Sequence, residues 1–291
     1  MCRYLFLAFI LSLLLHGCKL SDSGSGKKDF VPEQDHRLNS SKVREVIYSM
    51  GIPTDIASFF EETGTGFDPG LTFPLQTVSI YEGPEEMALL LGVLGVDMSY
   101  CSLFERTHEA AECYKYIDLL AGKLDLPSEI VDHTPEQQRS YLKNTDSLNN
   151  MISRVYSDMD RHFRENNQSS FASLSLLGGW IEAMYIGVNI YKNKSVVEMG
   201  DRILQQKYSL NSLTGLLANH QEILLVRQYM HPLNKLKKVY EEIEIAYDTE
   251  GFEMDREAQT FHAAVSEIRY EPETLEEICR IILQLRKEIT R

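Results

Sequence analysis

The stretch Leu174–Tyr191, LSLLGGWIEAMYIGVNIY, decides the fold because it places two glycines, the only tryptophan and one carboxylate in an otherwise apolar helical run. A helix that is apolar nearly all round lies either at the centre of a bundle or in a membrane. Residues 84–106 have the same character. Each run carries a carboxylate near its middle, Asp97 or Glu182, and the neighbouring helical segments keep polar faces. These features favour two central helices of a bundle over two membrane spans.

Small residues form a narrow stripe along one face of each apolar run. The stripes consist of Ala88, Gly92, Gly95, Ser99 and Ser102 in the first run, and of Ala172, Ser175, Gly179, Ala183 and Gly187 in the second. A glycine inside a helix costs about 1 kcal/mol relative to alanine, and close approach of two backbones compensates for that cost. We therefore predict that the two helices cross each other, or a common neighbour, at short distance. The predicted helix seam consists of Gly92, Gly95, Ser99, Gly178, Gly179 and Trp180, with Trp180 as a core residue beside it.

The rest of the chain after Ser40 also shows helical periodicity, with no convincing alternation of period two. The sequence therefore predicts an all-α fold, a bundle of about ten helices around the two Gly-rich ones. The predicted helices are 41–50, 54–63, 84–106, 108–124, 135–143, 146–165, 169–192, 195–218, 220–246, 254–270 and 272–290. The four glycines and two prolines between Gly64 and Gly83 predict a long loop.

The first eighteen residues, MCRYLFLAFILSLLLHGC, are typical of a bacterial lipoprotein leader. One positive charge at Arg3 precedes a twelve-residue apolar stretch, which is short for a membrane span, and the box Leu15–Cys18 follows. The sequence predicts a signal peptide over 1–17, lipidation of Cys18, a flexible tether over 18–40, and a helical body over 41–291. The alternative is an ordinary secretory leader with a chance cysteine. Lys19 after the lipidated cysteine favours the outer membrane, and leaves the periplasmic and surface faces as alternatives.

The charge balance excludes one class of partner. The chain has 29 Lys and Arg against 43 Asp and Glu, a net charge of −14, whereas nucleic-acid binding requires a clustered basic surface. The predicted partners are the membrane, through acylated Cys18, and an envelope protein or a small ligand. In the body, Cys101, Cys113 and Cys279 lie in helical patterns, where small buried side chains are the expected role and a catalytic or redox thiol is the alternative.

Two short motifs carry the chemically suggestive side chains. Asp97 stands three residues before Tyr100, and Glu182 stands three residues before Tyr185. An 85-residue offset superposes the motifs, which raises the hypothesis of a weak internal duplication. Either the tyrosines, or serines nearby, satisfy buried acids, so that Glu182→Gln should be mild, or all four residues are catalytic candidates in a shared cavity.

Metal and cofactor motifs are weak. Glu105 and His108 have the Glu-x-x-His spacing of helical di-iron proteins, but a second copy is missing and a helix junction is predicted between them. They are therefore weak metal candidates, and the sequence indicates no cofactor. Gly64-x-Gly66 lacks the strand and the Gly-Lys-Ser/Thr of a phosphate-binding loop.

Two stretches, LGVLGVDMSY at Leu91–Tyr100 and GGWIEAMYI at Gly178–Ile186, resemble sequences of an uncharacterised family of helical envelope lipoproteins from Bacteroidetes-type bacteria. The resemblance implies the fold and the location but no activity. We expect a lipid-anchored cell-envelope protein, acting as a non-enzymatic binding or interaction module. The alternative is a hydrolase-like enzyme that uses Asp97 and Glu182 as paired carboxylates in a central cavity.

Overall fold

Nearly all of the regular structure is α-helical, which confirms the predicted fold class. The computed structural model describes residues 66–131, 145–194, 197–247, 253–255, 260–262 and 265–290. In these ranges the α-helices are α1 (Pro84–Leu103), α2 (Thr107–Lys123), α3 (Ser128–Val131), α4 (Thr145–Glu165), α5 (Ser170–Lys194), α6 (Val197–Gln205), α7 (Lys207–Leu217), α8 (Leu224–Glu241) and α9 (Pro272–Ile289). The leader, Cys18, the tether and the predicted helices 41–50, 54–63 and 135–143 lie outside the described residues.

The helix predicted over 254–270 is wrong, because strands occupy this part of the chain. The strands are β1 (Glu244–Tyr247), β2 (Glu253–Asp255), β3 (Thr260–His262) and β4 (Val265–Arg269). They form two antiparallel pairs, β1 with β4 and β2 with β3. Ile245 lies opposite Ile268, and both side chains pack half-buried against the core. Burial on one face of a strand pair outweighs the weak helical period of this segment.

Local backbone geometry explains why two helices are shorter than predicted. Helix α1 ends before Glu105, whose φ of 56° is in the left-handed region and cannot continue a helix. The helix predicted over 195–218 is divided at Gln206, where the N–H of Gln206 donates to the carbonyl of Ile203 at 3.2 Å, three residues back. Short 3₁₀ turns at Pro69–Leu71 and Leu75–Ile80 occupy the predicted long loop.

Helix α5 is the centre of the described bundle, in contact with α1, α4, α6, α7 and α9. Both α1 and α5 are long and apolar enough to cross a membrane, but 78 % of the apolar window of α1 and 94 % of that of α5 are buried inside the protein. Burial of this kind is what central bundle helices require. The absence of a polar face on α5 therefore follows from its position among five other helices.

Backbones of α1 and α5 come closest at Gly92 and Gly178. A Cβ atom added to Gly92 would collide with the carbonyl oxygen of Ser175, and one added to Gly178 would collide with that of Leu89. The hydroxyl of Ser175 also donates to the carbonyl of Ala88 at 2.7 Å. Ser175 bonds to Ala88, Gly179 lies against Gly92 and Glu182 interacts with Asp97, so the partners' numbers rise together and α1 and α5 run parallel.

The other predicted seam residues have different surroundings. A Cβ at Gly179 would lie 3.1 Å from the hydroxyl of Tyr156 and 3.4 Å from the carbonyl oxygen of Gly92. A methyl group at this position would therefore be crowded but would not overlap a backbone atom. Gly95 is not a seam residue, because a Cβ there would meet nothing within 4 Å. Ser99 bonds back to the carbonyl of Gly95 at 2.9 Å. Trp180 is fully buried and donates from Nε1 to Ser209 of α7 at 3.1 Å, which is a core role.

We predict that Gly178→Ala destabilises the protein by about 3 kcal/mol or more, because its new methyl group overlaps a backbone carbonyl that cannot rotate away. Gly95→Ala is the matched control, since it adds the same methyl group in open space. It should leave the free energy of unfolding unchanged or raise it by up to about 1 kcal/mol. Urea unfolding followed by circular dichroism measures both changes. Equal effects would contradict the close contact at Gly178.

Candidate functional site

Three charged side chains from three helices meet at the centre of the bundle. Asp97 lies on α1, Glu182 on α5 and Arg286 on the last turn of α9. Asp97 follows Gly92 by five residues, and Glu182 follows Gly178 by four. The glycine contact therefore sets the two parallel helices close enough for the carboxyl groups to interact.

Arg286 and Glu182 form a bidentate buried ion pair. Nε of Arg286 donates to Oε2 of Glu182, and Nη2 donates to Oε1 at 2.9 Å. The residues are 4 % and 0 % exposed. The guanidinium also lies over two aromatic rings, 5.3 Å from the ring centroid of Phe73 and 5.0 Å from that of Tyr185. Two parallel hydrogen bonds and two ring faces stabilise the guanidinium charge, which is buried away from water.

Asp97 is also 0 % exposed, and its Oδ2 accepts a hydrogen bond from the backbone N–H of Phe73 at 2.8 Å. Its other oxygen, Oδ1, has no partner among the described residues when both acids are ionised. Burial, and then the charge of Glu182, raise the pKa of Asp97 well above its usual value. Protonated Asp97 can donate to Glu182, and the cluster then carries one negative and one positive charge.

Neither tyrosine hydrogen-bonds to the carboxylates, although this was one of the two ways proposed for satisfying them. The hydroxyl of Tyr100 accepts the backbone N–H of Asp68 at 3.1 Å, and burial raises the pKa of Tyr100 to about 12. Tyr185 presents its ring to Arg286. Both residues therefore act around the cluster, Tyr100 by fixing the loop above it and Tyr185 by covering the guanidinium. The internal duplication stays a prediction.

Sequence reasoning missed Arg286 and Phe73. A signal for Arg286 was present, because it continues the apolar series Leu275, Cys279, Ile282 and Ile289 at spacings of four and three. A charged residue on such a stripe lies on the buried face of its helix and needs a partner there. No comparable signal existed for Phe73, whose contribution is a backbone N–H from a loop.

Glu105 and His108 lie away from this cluster. Both are exposed, and the left-handed Glu105 separates α1 from α2, so the two side chains do not share a helical face. Among the described residues, no group of three or more His, Cys, Asp or Glu side chains is arranged to hold a metal ion. The Glu-x-x-His interpretation is therefore not supported by the local geometry.

A depression of about 470 Å³ lies on the outer face of α9, at the end of α5. Its charged side chains pair across it or with a neighbour: Lys192 lies 3.1 Å from Glu276, and Arg280 lies 2.6 Å from Glu277. Four of the five lining charges pair in this way, and Glu273 leaves the depression with one excess negative charge, which is a weak basis for selecting an ionic ligand.

Comparisons with protein-family models, curated proteins and solved structures give no match for this chain.

Removing Arg286 should be strongly destabilising because it leaves Glu182 buried without a cation. We predict a loss of about 3–5 kcal/mol for Arg286→Met and a similar loss for Glu182→Gln, which revises the mild effect expected without knowledge of the partner. The double variant should lose clearly less than the sum of the two. Lys235→Met, which breaks the exposed 2.9 Å pair with Glu277, is the control and should cost about 1 kcal/mol or less. Additive losses in chemical unfolding would argue against coupling.

The raised pKa of Asp97 predicts a stability that declines with pH. Because the folded state holds this proton to higher pH than the unfolded state, its stabilising contribution is full below the unfolded pKa of about 3.9 and is lost as pH rises through the folded pKa. Asp97→Asn retains an acceptor for Phe73 and a donor for Glu182 but cannot ionise. The variant should show a flatter pH dependence and exceed the wild type in stability at alkaline pH. Identical pH profiles of the unfolding free energy would contradict protonation of Asp97.

Proposed function

We propose that this protein is a lipid-anchored component of the bacterial cell envelope, whose helical body is a non-catalytic binding or interaction module. Support for the anchor comes from the leader, the box Leu15–Cys18 and the polar segment that follows. A tether of about twenty residues spans about 25 Å, which is enough to hold a folded body clear of a membrane surface. The resemblance to helical envelope lipoproteins supports the same location.

The observation that carries the non-catalytic assignment is the engagement of the three central charged groups with one another. Both oxygens of Glu182 accept from Arg286, and Asp97 accepts from Phe73, while neither carboxyl group is exposed. A general acid or a nucleophile must reach its substrate within hydrogen-bond distance. In the described arrangement these acids hold helices together, and the outer surface is what remains for a partner.

The acidic balance of the chain bears on the class of partner. A net charge of −14 at neutral pH favours association with a basic protein surface or a cationic small ligand, and disfavours nucleic acid. Exposed ion pairs such as Lys235 with Glu277 contribute little to stability, so their residues are free to exchange partners at an interface.

A hydrolase that uses Asp97 and Glu182 is the second candidate function, and two observations favour it. The two carboxyl groups are close enough to interact, and the pKa of Asp97 is raised as that of a general acid would be. Glycosidases hold their two carboxyl groups about 5 Å or more apart to admit the sugar or a water. Here the acids interact with each other and with a guanidinium, and both are 0 % exposed, so this candidate requires an opening that exposes them to a substrate.

One experiment on protein isolated from the envelope tests both parts of the proposal. The folded protein is treated with a water-soluble carbodiimide and an amine, which modifies accessible carboxyl groups, and is then mapped by mass spectrometry. We expect an acyl mass on Cys18, modification of the exposed Glu273, and none of Asp97 or Glu182. Cys18→Ser should release the protein from the membrane fraction without changing the modification pattern.

The acyl mass and the carboxyl modification test the two parts of the proposal separately. Absence of acyl mass on Cys18 in membrane-associated protein would overturn the lipid anchor but leave the role of the body untouched. Modification of Asp97 and Glu182 at a rate close to that of Glu273 would overturn the non-catalytic assignment and favour the hydrolase.

A further inference from the structure

Cys101 and Cys113 form a pair of buried thiols between neighbouring helices. Cys101 lies in the last turn of α1 and Cys113 lies in α2, with only residues 104–106 between the two helices. The side chains are 1 % and 2 % exposed, and their thiol groups are hydrogen-bonded to each other. Helices α1 and α2 pack together along this hairpin. The structure describes the reduced form, in which both cysteines are free.

We propose that Cys101 and Cys113 are a redox site, and that they form a disulfide when the chain folds in an oxidising environment. A disulfide needs two sulfur atoms that can approach to about 2.05 Å, and two thiols hydrogen-bonded to each other across packed helices are placed for that approach. The resulting bond ties α1, which carries Asp97, to α2. This inference depends on the described geometry and not on the envelope location.

The oxidant is a disulfide, either oxidised glutathione or the disulfide of an oxidoreductase. The thiolate of one cysteine attacks the oxidant disulfide, forms a mixed disulfide and releases one thiol of the oxidant. The second cysteine then attacks the mixed disulfide and releases the other. The chain loses two electrons and two protons, and the oxidant leaves as two thiols.

This exchange belongs to the folding stage because the native state protects both sulfur atoms. The hydrogen bond to Cys101, and then burial, raise the pKa of the Cys113 thiol, so little thiolate is present once α2 has packed. In the unfolded chain both thiols have ordinary acidity and are accessible. The pair therefore records the redox state of the compartment in which the chain folded.

Cys279 provides the matched control. It is buried on α9, and the side chains that influence its acidity are Glu276 and Lys192 rather than either cysteine of the pair. It should remain a thiol under conditions that oxidise Cys101 and Cys113.

The test uses the full chain, unfolded with reductant and then refolded with oxidised glutathione. Differential alkylation and peptide mass spectrometry without reduction read each cysteine separately. We expect a Cys101–Cys113 linked peptide in most molecules, with Cys279 alkylated as a thiol. Folded reduced protein given the same glutathione should oxidise at least tenfold more slowly. Free thiols at both positions after refolding would overturn the proposed site, and equal rates would overturn the folding-stage step.

Cysteine variants distinguish stabilisation by the disulfide from other effects of oxidation on the urea midpoint. Reductant should lower the urea midpoint of oxidised wild type and of Cys279→Ser, and should leave that of Cys101→Ala unchanged. An equal shift in Cys101→Ala would show that the stabilisation has another source and would count against the proposal.

Discussion

A charge buried at the centre of an apolar helix constrains the rest of this structure. Glu182 is 0 % exposed and lies on α5, which contacts five other described helices. Arg286 of α9 supplies the cation that pairs with this carboxylate. Since a buried pair contributes little net stability compared with apolar packing but is costly to break, it selects one arrangement of α5 and α9 over others.

The glycine contact and the charged cluster depend on each other. Gly92 and Gly178 let α1 and α5 approach in parallel, which brings a second carboxyl group, that of Asp97, against the first. Two ionised acids beside one guanidinium would leave an uncompensated negative charge in the core. Burial and the charge of Glu182 raise the pKa of Asp97, which favours a proton on Asp97 that removes this charge, and the hydrogen bond from Phe73 ties the loop to the same point. Close packing of α1 and α5 therefore requires that the negative charge of the second carboxyl group be compensated.

The spacing of apolar residues predicted much of the fold, because the buried face of a helix is specified by residues within one segment. The all-α class and the two apolar helices follow from spacing within single segments, whereas the meeting of Asp97 with Glu182 was only one of two alternatives, because it depends on how two separate helices pack. The partners from distant segments were not predictable in this way: Arg286 is 104 residues from Glu182, and Phe73 contributes only its backbone. Spacing alone also could not tell Gly178, where backbones touch, from Gly95, which has open space around it. The strand pairs were not predicted, because strand formation here depends on pairing between separate segments.

Completion of the core late in synthesis follows from the position of Arg286. Ribosomes deliver Glu182 more than one hundred residues before its cation, and the carbonyl of Ile289, three residues further on, accepts the hydroxyl of Tyr81. A shorter product that stops before Arg286 leaves Glu182 without its cation and is destabilised by the cost of an unpaired buried charge. Such products are more open to proteolysis, so the ion pair distinguishes chains that contain α9 from chains that lack it.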